Sequence, residues 1–432
     1  MLSPRTEPGT QVTRAPNGVR TLTVAMPGRE TVAVSVFVRT GSQHESRRQS
    51  GISHVVEHMA FKGTATRDCQ RINLEAERLG AEVNAHTDKD HTAYHIVGLK
   101  RDLGDFVRLL GDIVQHGTYP AAELERERQV ILHELAEDDE DSLSTAFKLF
   151  DRACYGEHAL ARPVIGHRAN IERFTRDELL AYVTRQYTGG NVIVGVAGDV
   201  DPEAVRREVE AAFADLPPGA DNLVQPPVYR GGFLQRSLAG SVQTHAVLGF
   251  PIPGLREDAA AETVAAALFG EGMSSPLLDQ LRERRGLAYH AACSADRGEL
   301  AGQFVVEAST APEQVEELFE QVVRLLLEQA EAIDPVGLER ARNQLTVRKL
   351  RALERPVQRL EAAALDLYAH GHVRSSAQWL ERIAEVGADE VRAACRRMLA
   401  CRPAVALAGH VTRRAAQRVP GIVERLRRSG PT

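Results

Sequence analysis

The spacing of hydrophobic and polar residues along the chain predicts a mixture of strands and helices. Segment 31–38 (TVAVSVFV) alternates small polar with β-branched residues, which is typical of a half-buried strand. Apolar residues recur at helical spacing over 52–61 and 121–137. Segment 82–98 predicts two strands joined by a turn at 88–90 (DKD). The pattern therefore favours an α+β fold.

The second half of the chain repeats features of the first half in the same order. The tripeptide LER occurs in predicted helices at 124–126 and again at 338–340, an offset of 214 residues. Segment 196–200 (VAGDV) resembles segment 407–411 (LAGHV) at an offset of 211. We therefore expect two tandem homologous domains, each a mostly antiparallel β-sheet flanked by α-helices.

Proline and glycine mark the boundary between the two predicted domains. Both residue types are concentrated between positions 216 and 233, a composition that indicates a linker. The predicted division is a loose N-terminal segment at 1–20, a first domain at 21–215, the linker at 216–233 and a second domain at 234–432.

Composition and charge exclude several classes of protein. The 432 residues carry a net charge of −6, so the chain lacks the basic excess of a general nucleic-acid-binding protein. No run of about 18 apolar residues predicts a membrane span. The N-terminus lacks the apolar core of a secretory signal, which favours a cytoplasmic protein. The five cysteines are scattered and form no CxxC motif, which is typical of a reducing compartment.

The strongest candidate for chemistry is the sequence His54-Val55-Val56-Glu57-His58. Positions i, i+3 and i+4 of a helix share one face, so the two imidazoles and the carboxylate would lie side by side. Two imidazoles suit a tetrahedral Zn²⁺, and an adjacent carboxylate can take a proton from water that the metal has activated. This HxxEH order is the inverzincin signature.

A zinc site of this kind needs a third ligand. The predicted helix at 121–137 is rich in carboxylates. Glu127 and Glu134 are seven residues apart and share a face, and Glu137 lies three residues beyond Glu134 on that face. Spacing therefore leaves all three acids as candidates.

Four segments together resemble one known family. They are 54–64 (HVVEHMAFKGT), 82–94 (EVNAHTDKDHTAY), 127–134 (ERQVILHE) and 272–289 (GMSSPLLDQLRERRGLAY). Over about residues 22–411 the chain resembles the pitrilysin family of zinc metallopeptidases, in the subgroup that contains mitochondrial processing peptidase. The resemblance implies a zinc-dependent metalloendopeptidase that cleaves unfolded or short peptides, with one Zn²⁺ per chain.

The resemblance also implies roles for individual residues of the metal centre. His54, His58 and Glu134 would be the zinc ligands, and Glu57 would be the general base. Glu127 would orient one of the ligands from outside the coordination sphere.

Further residues would contact the peptide substrate. Asn84 and Ala85 match the edge strand on which family members bind extended substrate by strand addition. Arg282 and Tyr289 match an Arg-x₆-Tyr pair that holds the substrate backbone and polarises the scissile carbonyl. The chain departs from the family at Glu271, where a run of glycines is frequent, and at Pro276, where an arginine or polar residue is frequent.

The resemblance further implies how chains would assemble. Two domains would form half of a clamshell, and two chains would enclose a chamber. One chain carries both the HxxEH and the Arg-x₆-Tyr elements, which favours a homodimer, with a heterodimer with a related subunit as the other option. The alternative function is a non-catalytic or partner-dependent scaffold or peptide-binding subunit of a processing-peptidase-like assembly.

Overall fold

A computed structural model describes residues 6–428 of the chain. None of the described helices is long and apolar enough to span a membrane. The strands of the described residues are β1 (Thr10–Arg14), β2 (Arg20–Ala25), β3 (Thr31–Val38), β4 (Glu82–Thr87), β5 (Thr92–Leu99), β6 (Val192–Gly198), β7 (Gly232–Ser237), β8 (Thr244–Ile252), β9 (His290–Arg297), β10 (Gly302–Thr310) and β11 (Ala404–Gly409). Their α-helices are α1 (Ile52–Ala60), α2 (Cys69–Arg78), α3 (Leu103–His116), α4 (Ala121–Glu140), α5 (Ser142–Tyr155), α6 (Arg168–Ile171), α7 (Arg176–Gln186), α8 (Pro202–Ala212), α9 (Ala260–Gly270), α10 (Pro276–Leu278), α11 (Val315–Glu331), α12 (Pro335–Leu353), α13 (Pro356–His370), α14 (Ser376–Glu385), α15 (Ala388–Ala400) and α16 (Arg413–Arg428).

Each half of the chain builds one sheet, and the five strands of the second sheet match β2-β6-β3-β5-β4 of the first in order, while β1 has no counterpart among the described strands of the second. Within residues 6–428 the first sheet has the order β1-β2-β6-β3-β5-β4 and the second has the order β7-β11-β8-β10-β9. In the first sheet β2 and β6 are parallel, and in the second β7 and β11 are parallel, while the remaining pairs are antiparallel. The predicted pair of homologous α+β domains with mostly antiparallel sheets is confirmed.

The compact units differ from the predicted domain boundaries by an exchange of helices. The first unit contains residues 6–135, Arg162–Val224 and Arg351–Ser376, and the remaining described residues form the second unit. The predicted division at 21–215 and 234–432 places α5 in the first domain and α13 in the second. The structure corrects this, because apolar residues of α5 pack on the second sheet and those of α13 pack on the first.

The N-terminal region also differs from the prediction. Residues 1–5 lie outside the described part of the chain, but residues 10–14 of the predicted loose segment form β1, which pairs antiparallel with β2. Backbone hydrogen bonds hold this edge strand while most of its side chains remain exposed, so it shows little hydrophobic pattern. Residues 217–231, within the predicted linker 216–233, form neither helix nor strand.

The two faces of the first sheet carry different helices. Val32, Val34 and Val36 of β3 pack in one cluster with residues of α1 and α3. Ala33 and Phe37 point to the opposite face and pack with α13. Because side chains alternate along a strand, neighbouring residues of β4 also serve opposite faces. The face to which each strand residue points therefore determines whether its polar side chain lies near α1 or near α13.

Candidate metal centre

Helix α1 is fixed at its N-terminus by a glycine and a buried carboxylate. Gly51 has φ 98°, a left-handed conformation that favours glycine. The Glu45 carboxylate accepts hydrogen bonds from the backbone N–H groups of Gly51 and Ser53, both at 2.8 Å. Burial raises the pKa of Glu45 to about 7, although those backbone hydrogen bonds act in the opposite direction. The apolar residues buried along this helix are Ile52, Val55, Val56, Met59 and Ala60.

The polar face of α1 brings two imidazoles to a carboxylate of α4. The rings of His54 and His58 have centroids 4.5 Å apart. Glu134 Oε2 lies 3.9 Å from His54 Nε2 and 3.5 Å from His58 Nε2. Two atoms that each bind one tetrahedral zinc at about 2.1 Å are about 3.4 Å apart. The three side chains, with ligand atoms within 4.8 Å of one another, therefore suit a shared metal ion.

The structure distinguishes the three acids of α4 that spacing left open. Only Glu134, among these acids, presents an oxygen to both imidazole Nε2 atoms. Glu137 is exposed. Glu127 is buried and contacts His58 on the other ring nitrogen, Nδ1, at 3.2 Å.

Glu127 holds the His58 ring in an orientation suited to metal binding. A hydrogen bond from His58 Nδ1 to Glu127 leaves the Nε2 lone pair directed at Glu134. The other oxygen of Glu127 lies 2.6 Å from Lys62 Nζ, an ion pair that fixes the carboxylate in turn. Carboxylate–histidine pairs of this kind set the tautomer and basicity of metal-ligating histidines.

Glu57 lies on α1 between the two histidines and close to the first sheet. Its Oε2 accepts a hydrogen bond of 3.0 Å from the Thr87 hydroxyl of β4. Burial raises the pKa of the Glu57 carboxyl above its ordinary value, while His58 and the Thr87 hydrogen bond lower it. A raised pKa makes a carboxylate a better proton acceptor, which suits a group that accepts and returns protons during a reaction.

The predicted substrate strand lies at the edge of the first sheet. Strand β4, which contains Asn84 and Ala85, pairs with β5 on one side and with no other strand of the described chain on its second side. Asn84 is exposed, and its side-chain oxygen accepts a hydrogen bond from the backbone N–H of Ala85. An edge of this kind offers unpaired backbone groups to an extended peptide.

The predicted Arg-x₆-Tyr pair lies in the second unit. The Arg282 guanidinium is 5.4 Å from the centroid of the Tyr289 ring, a cation–π distance. Tyr289 is 81% exposed, so its hydroxyl is accessible to a ligand. Both side chains line a depression of about 400 Å³, whose other lining residues are Gly270, Glu271, Gly272, Met273, Leu278, His290, Ala291, Ala292, Cys293 and Arg348.

The second unit does not reproduce the donor set of the first. Arg348 occupies the position equivalent to Glu134 at the offset of 214, and it forms an ion pair of 3.0 Å with Glu271. The departure at Glu271 thus has a structural partner. Helix α9, which follows β8 as α1 follows β3, contains no histidine. A cation therefore stands where the first unit has a candidate ligand.

Sequence reasoning missed several groups around this centre. Lys62 and Thr87 lie inside the quoted motifs, but neither spacing nor charge indicated their contacts with acidic residues. A second group of potential metal ligands, His86, His91 and Glu361, also went unrecognised. Glu361 is distant in sequence, so only the packing of α13 on the first sheet brings it there.

Comparison with known proteins identifies the family. Residues 20–168 match the family described as Insulinase (Peptidase family M16), and residues 173–345 match the Peptidase M16 inactive domain. A protein of Rickettsia felis named "Uncharacterized zinc protease" is 30% identical over 384 residues, which cover 88% of this chain and 92% of that protein. The chain therefore belongs to peptidase family M16, and the predicted resemblance to pitrilysin-type peptidases is confirmed.

Two other similarities extend this result. The mitochondrial-processing peptidase subunit beta of Blastocladiella emersonii is 35% identical over 213 residues, covering 49% of this chain and 46% of that protein. The crystal structure of a peptidase M16 inactive domain from Pseudomonas fluorescens matches with a TM-score of 0.83 at 22% identity, covering 93% of this chain and 98% of that one. The second comparison shows the shared fold.

Proposed function

We propose that this protein is a zinc-dependent metalloendopeptidase that cleaves unfolded or short peptides. The observation that carries the proposal is the convergence of His54, His58 and Glu134 within 4.8 Å, with Glu57 on the same helix as the histidines. The family, and the names of relatives as zinc proteases, support the same conclusion.

The residues of the first unit would divide the chemistry among them. His54, His58 and Glu134 would hold one Zn²⁺ per chain, and Glu127 would orient His58. A bound zinc ion supplies a Lewis acid that polarises a carbonyl oxygen and activates water at neutral pH. Glu57 would take the proton from the attacking water and deliver it to the leaving amine.

The substrate would bind in an extended conformation. Backbone groups of β4 at Asn84 and Ala85 would pair with the peptide as an added strand, which recognises main chain and therefore needs an unfolded substrate. Arg282 would hold the peptide backbone, and the exposed Tyr289 hydroxyl would donate to the developing oxyanion. These roles for Arg282 and Tyr289 rest on the family pattern.

The same sequence carries every element of this scheme, so we propose a homodimer. We also propose a cytoplasmic location, since the scattered cysteines are typical of a reducing compartment. One relative is a subunit beta of the mitochondrial processing peptidase, and a heterodimer with a related subunit is the other assembly that the family suggests. In that case zinc binding would persist without cleavage by the chain on its own.

The test compares the wild type with Glu57→Gln on a pool of unstructured quenched-fluorescent peptides, with the zinc content of each measured. Glu137→Gln is the matched control, because Glu137 is an exposed acid on α4. The proposal predicts cleavage by the wild type and the control, and zinc binding without cleavage by Glu57→Gln. Equal cleavage by Glu57→Gln would exclude Glu57 as the base. Zinc-loaded wild type that cuts no peptide would favour the partner-dependent or scaffold role.

A further inference from the structure

A second cluster of metal-binding side chains lies in the first unit, outside the centre described above. His86 belongs to β4, His91 lies in the turn between β4 and β5, and Glu361 belongs to α13. Glu361 Oε1 lies 3.4 Å from His86 Nε2 and 3.7 Å from His91 Nε2. One ligand atom from each of the three residues lies within 4.8 Å of the other two.

His91 is the buried member of the cluster, and its ring nitrogens lack hydrogen-bond partners in the described chain. Its side chain is 2% exposed. Buried polar groups nearly always have a partner, so a buried imidazole without a hydrogen bond indicates a place where a ligand can bind. The Nε2 atom of His91 lies 3.7 Å from Glu361 Oε1, a distance beyond hydrogen-bond range.

The separations correspond to a shared ion better than to direct hydrogen bonds. A charge-assisted N–H···O bond between an imidazolium and a carboxylate is about 2.7–2.9 Å long. Two ligand atoms bound to one tetrahedral zinc are about 3.4 Å apart. The distances from Glu361 to His86 and His91 lie near the second value. Two imidazoles and one carboxylate are also a donor set that zinc accepts, with a fourth position left for water.

A chain of hydrogen bonds fixes the His86 ring behind the cluster. His86 Nδ1 lies 3.2 Å from His95 Nε2, and His95 Nδ1 lies 2.7 Å from the Ser35 hydroxyl. When His95 donates to Ser35, its Nε2 accepts the His86 Nδ1 proton, and the Nε2 lone pair of His86 faces Glu361. Metal-ligating histidines commonly donate the other ring N–H to an acceptor that fixes the ring, and His95 Nε2 would be that acceptor for His86.

The cluster is separate from the first centre because the sheet lies between them. Ser35 shares the face of β3 that carries α13, and His86 pairs in register with Ala93, which packs on that same face. The next residue, Thr87, points to the α1 face and contacts Glu57. Strand β4 therefore carries one side chain into each cluster.

We propose that His86, His91 and Glu361 form a second binding site for a divalent transition-metal ion of the zinc type. The ion joins the edge strand β4 and its turn to helix α13, and so fixes the strand that carries Asn84, Ala85 and Thr87. The site does not depend on the proposed peptidase activity.

Metal stoichiometry of the full chain tests the proposal. Wild type and variants are stripped with a chelator, reloaded with Zn²⁺, desalted and analysed by elemental mass spectrometry. His54→Ala/His58→Ala removes the first centre, and Glu361→Gln removes the anionic ligand of the second. His116→Ala is the matched control, since His116 lies 3.1 Å from a carboxylate oxygen of Asp112 but has no third ligand in the described chain.

We expect about two zinc ions per chain for the wild type and the control, and about one for each of the other two variants. If Glu361→Gln does not fold, as judged by circular dichroism, His86→Asn replaces it, because His86 is partly exposed on an edge strand. Undiminished zinc in the folded variant would overturn the proposal. So would a His54→Ala/His58→Ala protein that binds no zinc. Neither result depends on whether the protein cleaves peptides.

Discussion

The contact between Glu127 and His58 gives the sharpest quantitative prediction. Replacing Glu127 by Gln preserves the side-chain volume but removes the negative charge beside His58 Nδ1 and Lys62 Nζ. The uncharged amide oxygen is a weaker hydrogen-bond acceptor for His58 Nδ1–H than a carboxylate oxygen is. If that oxygen faces His58, the amide NH₂ group faces the Lys62 ammonium, and both of these groups are donors. The His58 ring then loses both its fixed orientation and part of its basicity toward a metal.

The size of the effect follows from this one hydrogen bond. A hydrogen bond to a charged group contributes about 1.5–3 kcal/mol, which corresponds to about 10- to 150-fold in an equilibrium constant. Measured losses for comparable outer partners of metal ligands are about 10- to 100-fold. We therefore expect zinc affinity to fall about 10- to 100-fold in Glu127→Gln.

Competition with a chromophoric chelator at fixed pH measures this affinity, with Glu361→Gln present in every protein compared so that the second proposed site does not contribute. Glu137→Gln, which removes an exposed acid from the same helix, should bind zinc as tightly as the wild type. A Glu127→Gln protein whose zinc affinity stays within about twofold of the wild type would refute the reasoning, because loss of a carboxylate that supports a metal-ligating histidine should weaken binding by at least about tenfold. An equal loss in both variants would show a general effect of charge on α4 instead.

Three further predictions concern the framework and the proposed substrate contacts. A non-glycine residue in the left-handed region costs ~1–2 kcal/mol. Gly51→Ala should lower the unfolding free energy by more than this, because the added Cβ would lie 2.9 Å from backbone atoms. Gly80→Ala, also at positive φ but with open space around it, should lower it by ~1–2 kcal/mol only, and chemical denaturation measures both. The raised pKa of Glu45 means that the folded state prefers the protonated carboxyl, so the contribution of Glu45 to the unfolding free energy should fall by about 3 kcal/mol as the pH rises from about 4.5 to about 7. The difference in unfolding free energy between metal-free wild type and Glu45→Gln should change by that amount over this range, and a difference that does not vary with pH would contradict the assignment. Tyr289→Phe should lower kcat about 10²- to 10³-fold with zinc content unchanged, and full activity would exclude Tyr289 as the oxyanion donor.

The sequence predicted elements well where one period dominated. Strand β3 matches the alternating segment 31–38 over its full length, and α1 spans Ile52–Ala60 within the predicted 52–61. The HxxEH spacing brought His54 and His58 together because helical geometry fixes that relation locally. Local pattern was therefore enough for the helix that carries the candidate ligands.

Features that depend on long-range packing could not be predicted. Spacing left Glu127, Glu134 and Glu137 equivalent, because the rotation of α4 toward α1 is set by tertiary contacts. No local pattern could assign α5 and α13 to the opposite sheets. Glu361 meets His86 and His91 only through that exchange, so the second cluster has no signature in the sequence.

The central claim is that His54, His58 and Glu134 hold a zinc ion. Its most direct test is a crystal structure of the zinc-loaded protein with an anomalous difference map recorded above and below the zinc absorption edge. We expect a zinc-specific peak about 2.0–2.2 Å from His54 Nε2, His58 Nε2 and a Glu134 oxygen. A fully loaded protein whose map shows no such peak between these three side chains would contradict it.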